Sequence, residues 1–597
     1  MVKKNTMPDQ NRAEADRLTP KSWIDGAVLT AMLALHLFLG TCAVNRQAAT
    51  YDEGVHLVTG YHYLRTGSYK QTDHPPLLRV LAALPLLVSR PDSFDESPEA
   101  KGEDMFAYAD LFLYHNRLSA DSILAAGRHA IFWGLSPLLC VLIYFWTRKL
   151  GGRFAAAAAA FLYVLCPVIL ANAPLIMTDF GVTVFCFAAF YTLYKIILTN
   201  KPHPGLYVLF GLLLGAALAS KTSAMIMFGL MPLSTAAYWL MSGDSGVLRR
   251  AARILAISLP TIALVLLCAY HFNNTWLFWE TIRWVFAQTQ HGVLHLSYIF
   301  GYASTDCWWY FFSVCFLLKT PLIFLFFLAL AVFKCLEQLI NGARGTLGTW
   351  RAGLCSGPWA VVAAFVLLPA AVWMAVACTS KFQIGLRHIL PVYPFCCVAA
   401  GIAAGKVYGS GSLFRRGCLW LMAAGYVWSA FAAYPDYFSD FNSLVPDKIQ
   451  SFRYLAEANL DIGQGLKELG GFVKSFGSPP IYLSYFGTAD PHAYGIRYVP
   501  VAFFTDVPRK GDDIDPAEAQ PLIFAISASN RAAMYYNNRK LMKWLENYTP
   551  GAWVGNSIFV YDFTKEPRAL EVIADILQNT GDGPRAARLR QWADKKL

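Results

Sequence analysis

Long apolar stretches alternate along the chain with short polar ones. A helix needs about 20 largely apolar residues to cross the hydrocarbon of a bilayer, and such stretches lie at 22–44, 123–147, 154–171, 181–199, 205–220, 223–241, 254–271, 309–333, 358–379, 389–407 and 418–434. The pattern therefore predicts about eleven transmembrane helices. The first follows the polar MVKKNTMPDQNRAEADRLTPK, lacks a small-residue cleavage pattern and is too long for a signal-peptide core, so it is read as a retained helix. Lys and Arg in the short loops set the orientation. Lys3 and Lys4, Arg148, Lys149 and Arg153, Lys201, Arg249, Arg250 and Arg253, Lys334, Arg344 and Arg351, and Arg415 and Arg416 all fall on one side of an eleven-span topology, which is read as cytoplasmic.

The opposite side then carries the loop 45–122, the stretch 172–179, the loop 272–308, residues 380–388 and the C-terminal 435–597. Within the first loop, the apolar run 77–88 is too short to span and reads as an interfacial helix. From about 436 the composition becomes mixed, with strand-like IYLSYFG and NSIFVYDF and helical patterns at 448–475 and 567–595. The expected organisation is a cytoplasmic N-terminus (1–21), a transmembrane domain (22–434) and a small α+β extracytoplasmic domain (435–597). The run Ala155–Ala160 is read as a site of close helix packing.

Composition agrees with this picture. The chain is 56% hydrophobic and 15% charged, with a mean hydropathy of +0.39, too apolar for an ordinary soluble protein of 597 residues. Disordered, collagen-like and disulfide-scaffold classes are excluded. The net charge of +11 lies largely in the orientation clusters, so no nucleic-acid partner is expected. The 13 cysteines sit in or beside apolar segments without a paired CxxC pattern, which fits packing rather than a structural zinc site.

Residues suited to chemistry gather on the outer side. Tyr51-Asp52-Glu53-Gly54-Val55-His56 places two adjacent carboxylates beside the membrane surface, where one can take a proton from a hydroxyl or hold a divalent cation. His74-Pro75-Pro76 fixes two φ angles at a rigid entry to the 77–88 run, and His74 is a candidate contact for a phosphate or an acid. Asp179 lies between two strongly apolar segments, where an ionisable group is costly and a functional role is the default; Thr178-Asp179 can also cap a helix. Lys221, Lys319, Lys381, Arg387 and His388 break the positive-inside bias, and outer-face cations of this kind suit an anionic ligand that enters from the membrane. Tyr482, Tyr485, Phe486 and Tyr494 are a candidate stacking surface for sugars or, alternatively, core aromatics.

The acidic pair, the following His-Pro-Pro-Leu and the acid in the next outer turn resemble the polyprenyl-phosphate-sugar-dependent membrane glycosyltransferases of the GT-C fold. Within them the chain resembles the dolichyl-phosphate-mannose protein mannosyltransferase superfamily (glycosyltransferase family 39-like), in a bacterial branch with the aminoarabinose transferases as relatives. Leu318-Lys319-Thr320-Pro321-Leu322, Ile384-Gly385-Leu386-Arg387-His388-Ile389-Leu390-Pro391, Asn459-Leu460-Asp461-Ile462-Gly463-Gln464 and Tyr485-Phe486-Gly487-Thr488-Ala489-Asp490-Pro491 extend the resemblance along nearly the whole chain. Ile462 stands where that branch usually carries Trp, and Cys307 where it usually carries Gly.

The resemblance implies inverting transfer of a sugar from a polyprenyl monophosphate to an acceptor hydroxyl of a protein, a glycolipid or a polysaccharide. It makes Asp52 the general base, puts Glu53 at acceptor or metal contacts, and has Asp179 support the acceptor or a cation. Lys319, Lys381, Arg387 and His388 would neutralise the departing phosphate, with His74 and Lys221 as further donor-site contacts. No cofactor is certain; a divalent cation, if used, would sit on Asp52 and Asp179. The implied location is the bacterial inner membrane, with the site facing the periplasm. The competing reading is a transporter or flippase of a lipid-linked or anionic substrate, which would place its charges near the midplane. A third is a non-catalytic assembly scaffold built on a degenerate transferase domain.

Overall fold

The computed structural model describes residues 22–70, 73–102, 104–291, 296–343, 359–517 and 519–594. Lys3, Lys4, Arg344, Arg351 and the rest of the N-terminal stretch lie outside them.

Eight described helices are long and apolar enough to cross a membrane: Asp25–Val44, Ala120–Val164, Thr178–Leu198, Thr222–Ser242, Gly246–Ala269, Leu322–Asn341, Trp359–Thr379 and Val392–Gly409. They account for most of the eleven expected spans. Ala120–Val164 contains the span expected at 123–147 and most of that expected at 154–171, joined where Gly152 takes a positive φ of 82° that a side chain would oppose; the rest of the second is the separate helix Pro167–Asn172, set off by extended Cys166 before Pro167. The expected spans at 205–220 and 418–434 are helical at Pro204–Ser220 and Leu413–Ala432.

The segment expected as one span over 309–333 is broken. It forms Phe311–Lys319 and Leu322–Ala343, because Thr320 is extended and Pro321 cannot continue the hydrogen-bond ladder. Large apolar side chains such as Phe38, Leu255, Leu264, Phe333 and Trp428 are exposed on the helix surfaces, as in a bundle solvated by lipid.

The bundle closes tightly where small residues face each other. A Cβ on Gly401 would lie 2.5 Å from the Ala159 Cβ, and one on Gly405 would lie 2.7 Å from that of Ala155. The alanine run thus lets Val392–Gly409 press against Ala120–Val164.

At one end of the bundle lies the first loop, with Glu53–Thr66 and Leu77–Ala83 as its main helices. A short ribbon pairs β1 (Ser297–Ile299) with β2 (Tyr302–Ser304). The C-terminal region forms a five-stranded sheet in the order β4-β3-β5-β7-β6. Here β3 (Ile481–Ser484) runs parallel to β4 (Tyr498–Pro500) and β5 (Ile523–Ser527), while β7 (Ile558–Asp562) is antiparallel to β5 and to β6 (Ala552–Val554). Both strand-like segments of the sequence are strands, and Pro567–Asn579 and Gly583–Asp594 are helices.

The helical pattern at 448–475 is realised as an α-helix only over Leu466–Lys474. Upstream, the backbone instead bonds to the first loop: Ala48 N donates to Gln464 O and Tyr51 N to Ile462 O, each at 3.0 Å. These bonds fasten the sheet region to the loop that carries Asp52.

Candidate active site

Asp52 is the N-cap residue of Glu53–Thr66, yet its side chain makes no capping bond. One carboxylate oxygen instead accepts from Arg387 Nη1 at 3.0 Å, and the side chain keeps 31% of its surface open. Arg387 comes from the turn Leu386–Ile389, some 335 residues away in sequence. Its Nη1 also lies 3.0 Å from the Met177 sulfur, which brings in the segment before Asp179. Asp179 in turn pairs with Lys221 Nζ at 2.5 Å. His388 lies in the field of Lys221, Asp179, Arg387 and His74. Asp52, Asp179, Lys221, Arg387, His388 and His74 are thus one constellation, although the chain separates them widely.

Glu53 has a different part. It is fully buried: Oε1 accepts from Arg128 Nε (2.9 Å) and Ile176 N (3.1 Å), and Oε2 from Arg128 Nη2 (2.5 Å), Thr50 N (3.0 Å) and Thr50 Oγ1 (2.9 Å). No lone pair is left for an acceptor or a metal, contrary to the sequence expectation. Burial alone would raise this carboxyl, but the Arg128 charge and these hydrogen bonds hold it below the ordinary range. Arg128 also donates to the carbonyls of Val44, Gln47 and Ala48. Glu53 is therefore a post that fixes the Asp52 turn and the chain leading to Asp179 together.

A second buried network supports His74. Arg79, 1% exposed, donates to His56 Nδ1 (2.9 Å), Tyr69 Oη (2.9 Å) and Asp73 Oδ1 (2.8 Å). Asp73 Oδ2 lies 3.0 Å from His74 Nδ1, and the His56 ring meets the His74 ring edge-on at 5.2 Å. Burial, together with the Arg79 and His74 charges, holds His56 well below its usual range. The helix bearing Arg79 sits this close because Gly60 faces it; a Cβ there would lie 2.1 Å from the Arg79 carbonyl oxygen.

Lys319 and Lys381 are not brought into the constellation. Lys319 Nζ donates to Phe438 O (2.8 Å) and Asn459 O (2.7 Å) and lies over the Phe441 ring, so it ties the sheet region down instead of facing Asp52. Lys381 is exposed, and its charge acts on Cys307. Three of the four candidate sugar-stacking aromatics are core, with Tyr482, Tyr485 and Phe486 3%, 1% and 2% exposed, while Tyr494 is half-buried and its hydroxyl donates to Asp121 Oδ1 at 3.5 Å. Thr178 does not cap its helix, whose N-cap is Met177.

Several buried polar atoms in this region have no hydrogen-bond partner: Arg387 Nε, His388 Nε2 and Thr178 Oγ1, together with Oε2 of Glu457, a carboxyl in the field of Arg387 and Asp52. Buried polar groups are nearly always satisfied, and a local group of exceptions marks a place built for a ligand. Burial and the Lys221 charge hold His388 well below its usual value, so its ring is neutral near pH 7.

Sequence reasoning missed Arg128, Arg79 and Glu457. The first two are lone cations inside apolar runs, a signal that was available. A divalent cation fits the site poorly. Asp52 and Asp179 are each already neutralised by a cationic side chain, and among the described residues no group of three or more His, Cys, Asp or Glu is placed to hold a metal.

Fold and site together define a polytopic helical membrane protein with a charged site where the bundle meets a sheet domain. No protein-family model matches the chain, and no curated protein matches it. Among solved structures it is similar to ArnT from Cupriavidus metallidurans in the apo state, at 13% identity over 90% of this chain and 98% of that one, with a TM-score of 0.43. The same protein bound to undecaprenyl phosphate is similar at 13% identity over 91% of this chain and 98% of that one, with a TM-score of 0.40. The oligosaccharyltransferase AglB from Archaeoglobus fulgidus, in complex with an inhibitory peptide and a dolichol-phosphate, is similar at 11% identity over 87% and 72%, with a TM-score of 0.45.

Proposed function

We propose that this chain is an integral membrane glycosyltransferase that moves a sugar from a polyprenyl monophosphate to an acceptor hydroxyl, at the extracytoplasmic face. The observation that carries the reading is the open, half-exposed Asp52 carboxylate bound to Arg387 beside buried, unpartnered donors on Arg387 and His388. A carboxylate next to an unsatisfied guanidinium donor and a neutral imidazole can accept a proton on one side while an anion leaves on the other. The order of motifs in the sequence supports the same chemistry.

In this reading the lipid phosphate sits on Arg387, with Lys221 and neutral His388 beside it. Arg387 then divides its charge between phosphate and Asp52, which frees the carboxylate to act as base. The acceptor oxygen loses its proton to Asp52 and bonds to the anomeric carbon. The bond from that carbon to the phosphate oxygen breaks, its electron pair stays on the phosphate, and configuration inverts. Asp179 holds Lys221 in place, and the Glu53–Arg128 pair fixes the turn. In the same reading the acceptor hydroxyl belongs to a protein, a glycolipid or a polysaccharide, and the chain lies in a bacterial inner membrane with a transmembrane domain over 22–434 and an extracytoplasmic domain over 435–597 that faces the periplasm.

A transporter would place its charged groups along the bundle axis. Here Asp52 and Asp179 both stand at helix N-termini, and the Asp52 turn is tied to the sheet region where Thr488 Oγ1 donates to the Tyr51 carbonyl at 3.1 Å. The test is to incubate full-length protein in nanodiscs with a panel of radiolabelled polyprenyl-phosphate sugars. Consumption of one donor with release of polyprenyl phosphate is expected. If the protein binds polyprenyl phosphate yet consumes no donor, the transferase reading fails.

A further inference from the structure

Glu457 belongs to none of the roles assigned so far. It lies in the short turn Glu457–Asn459, soon after the last bundle helix Leu413–Ala432, and its backbone takes a left-handed φ of 52° that costs a non-glycine residue strain. That conformation is held from several sides. Its N–H donates to Ser529 Oγ at 3.1 Å, and its carbonyl accepts from Leu460 N and Asp461 N at 2.7 and 2.8 Å. Asn459 Oδ1 accepts from Leu386 N at 2.9 Å, which locks this turn to the one bearing Arg387.

The result is a carboxyl that faces the transfer site without being used there by the protein. Tyr535 hydrogen-bonds to the side chain, yet Oε2 is buried and has no partner. The charged and titratable groups facing it are Arg387, Asp52, Tyr51 and Tyr535. Tyr535 stacks on Phe504 at 4.2 Å and on Phe486 at 5.8 Å, and Tyr51 packs against Phe486 at 5.4 Å, so the two tyrosines that act on the carboxyl belong to one aromatic cluster. A lone carboxyl oxygen among aromatic faces is the chemistry that recognises a sugar hydroxyl.

The geometry points to Glu457 as a substrate-binding residue supplied by the C-terminal region, whose carboxyl hydrogen-bonds a sugar hydroxyl at the Asp52–Arg387 centre. This assignment rests on the transferase reading and adds the residue that distinguishes the sugar from the bare lipid phosphate. Burial pushes the Glu457 carboxyl up to about 8, with Arg387 offsetting part of the shift and the Asp52 charge adding to it. The group is therefore protonated near pH 7 and can donate as well as accept, as an amide can.

The test titrates full-length protein in nanodiscs with polyprenyl monophosphate and with polyprenyl-phosphoryl hexoses, and measures acceptor KM with the donor that turns over. Glu457→Ala is expected to bind the bare lipid phosphate as the wild type does, while affinity for the sugar-bearing lipid falls about tenfold. A rise confined to acceptor KM, with affinity for the sugar-bearing lipid unchanged, would place the hydroxyl on the acceptor and overturn the assignment to the donor sugar. Glu457→Gln, close to isosteric and expected to fold, is predicted to retain binding and to lose the decline in affinity that the wild type shows as pH rises through about 8. Unchanged sugar affinity and acceptor KM in Glu457→Ala, or equal loss of both lipids, overturns the assignment and leaves the transferase reading intact. Failure of the wild type to bind either lipid overturns both.

Discussion

At the scale of single residues, the adjacent carboxylates Asp52 and Glu53 show how environment separates two chemically similar groups. Asp52 is ion-paired but open, whereas Glu53 is enclosed and uses both oxygens on Arg128, Thr50 and Ile176. Removing one partner of a buried pair leaves an uncompensated charge, at a cost of about 3–5 kcal/mol. Arg128→Ala is thus expected to destabilise the protein by that order, read as a lower thermal midpoint in detergent, and to lower activity along with folded yield. Lys221→Met strands Asp179 in the same way, and its expected signature is weaker binding of polyprenyl monophosphate. The sequence showed that both carboxylates stood at the membrane surface. Which was open and which was buried depends on Arg128, about 75 residues away, and no local pattern encodes that contact.

At the scale of elements, most helices were legible because apolar length is a direct consequence of the bilayer. The exceptions have local causes. Pro321 ends a helix that hydropathy carried straight through, and 448–465 forms only the short turns Lys448–Arg453 and Glu457–Asn459 before Ile462 and Gln464 bond to the first loop. Aromatic alternation at 481–486 was legible as strand but ambiguous as to face, and the sheet buries it. Close packing between elements gives a second prediction. Gly60→Ala would put a methyl group against the Arg79 carbonyl, a contact with rigid backbone. Overpacking of this kind costs about 1–3 kcal/mol, and here it should displace the network under His74. Turnover is expected to fall more than folded yield, measured as activity per mole of monodisperse protein.

At the scale of the whole molecule, two sets of carboxyls oppose each other in pH. Glu53, Asp73 and Asp95 sit below their usual range: burial opposes this, but Arg128, Arg79 and His62 respectively outweigh it. They contribute stability that is present above about pH 4 to 5 and lost as the pH falls. Burial does the reverse to Glu457, pushed up to about 8, and to Asp461 and Asp436, each pushed up to about 7. These favour the protonated folded state, so their contribution is complete below about pH 4 and is lost progressively as pH rises from there through the folded values of 7 to 8. Thermal stability is expected to peak between about pH 4 and 5 and to decline on both sides, with Glu457→Gln flattening the alkaline limb. The joining of bundle and sheet region at one site, through Asn459, Gln464 and Lys319, was not legible in the sequence, since it depends on contacts across hundreds of residues.

The central claim is that Asp52 removes a proton from an acceptor while its neighbours receive the lipid phosphate. Single-turnover transfer from the radiolabelled polyprenyl-phosphate sugar that the protein consumes, compared between wild type and Asp52→Asn in nanodiscs, tests it most directly. The account predicts that Asp52→Asn still binds polyprenyl monophosphate while transfer slows by about 10²-fold or more. Transfer at the wild-type rate by Asp52→Asn would contradict it.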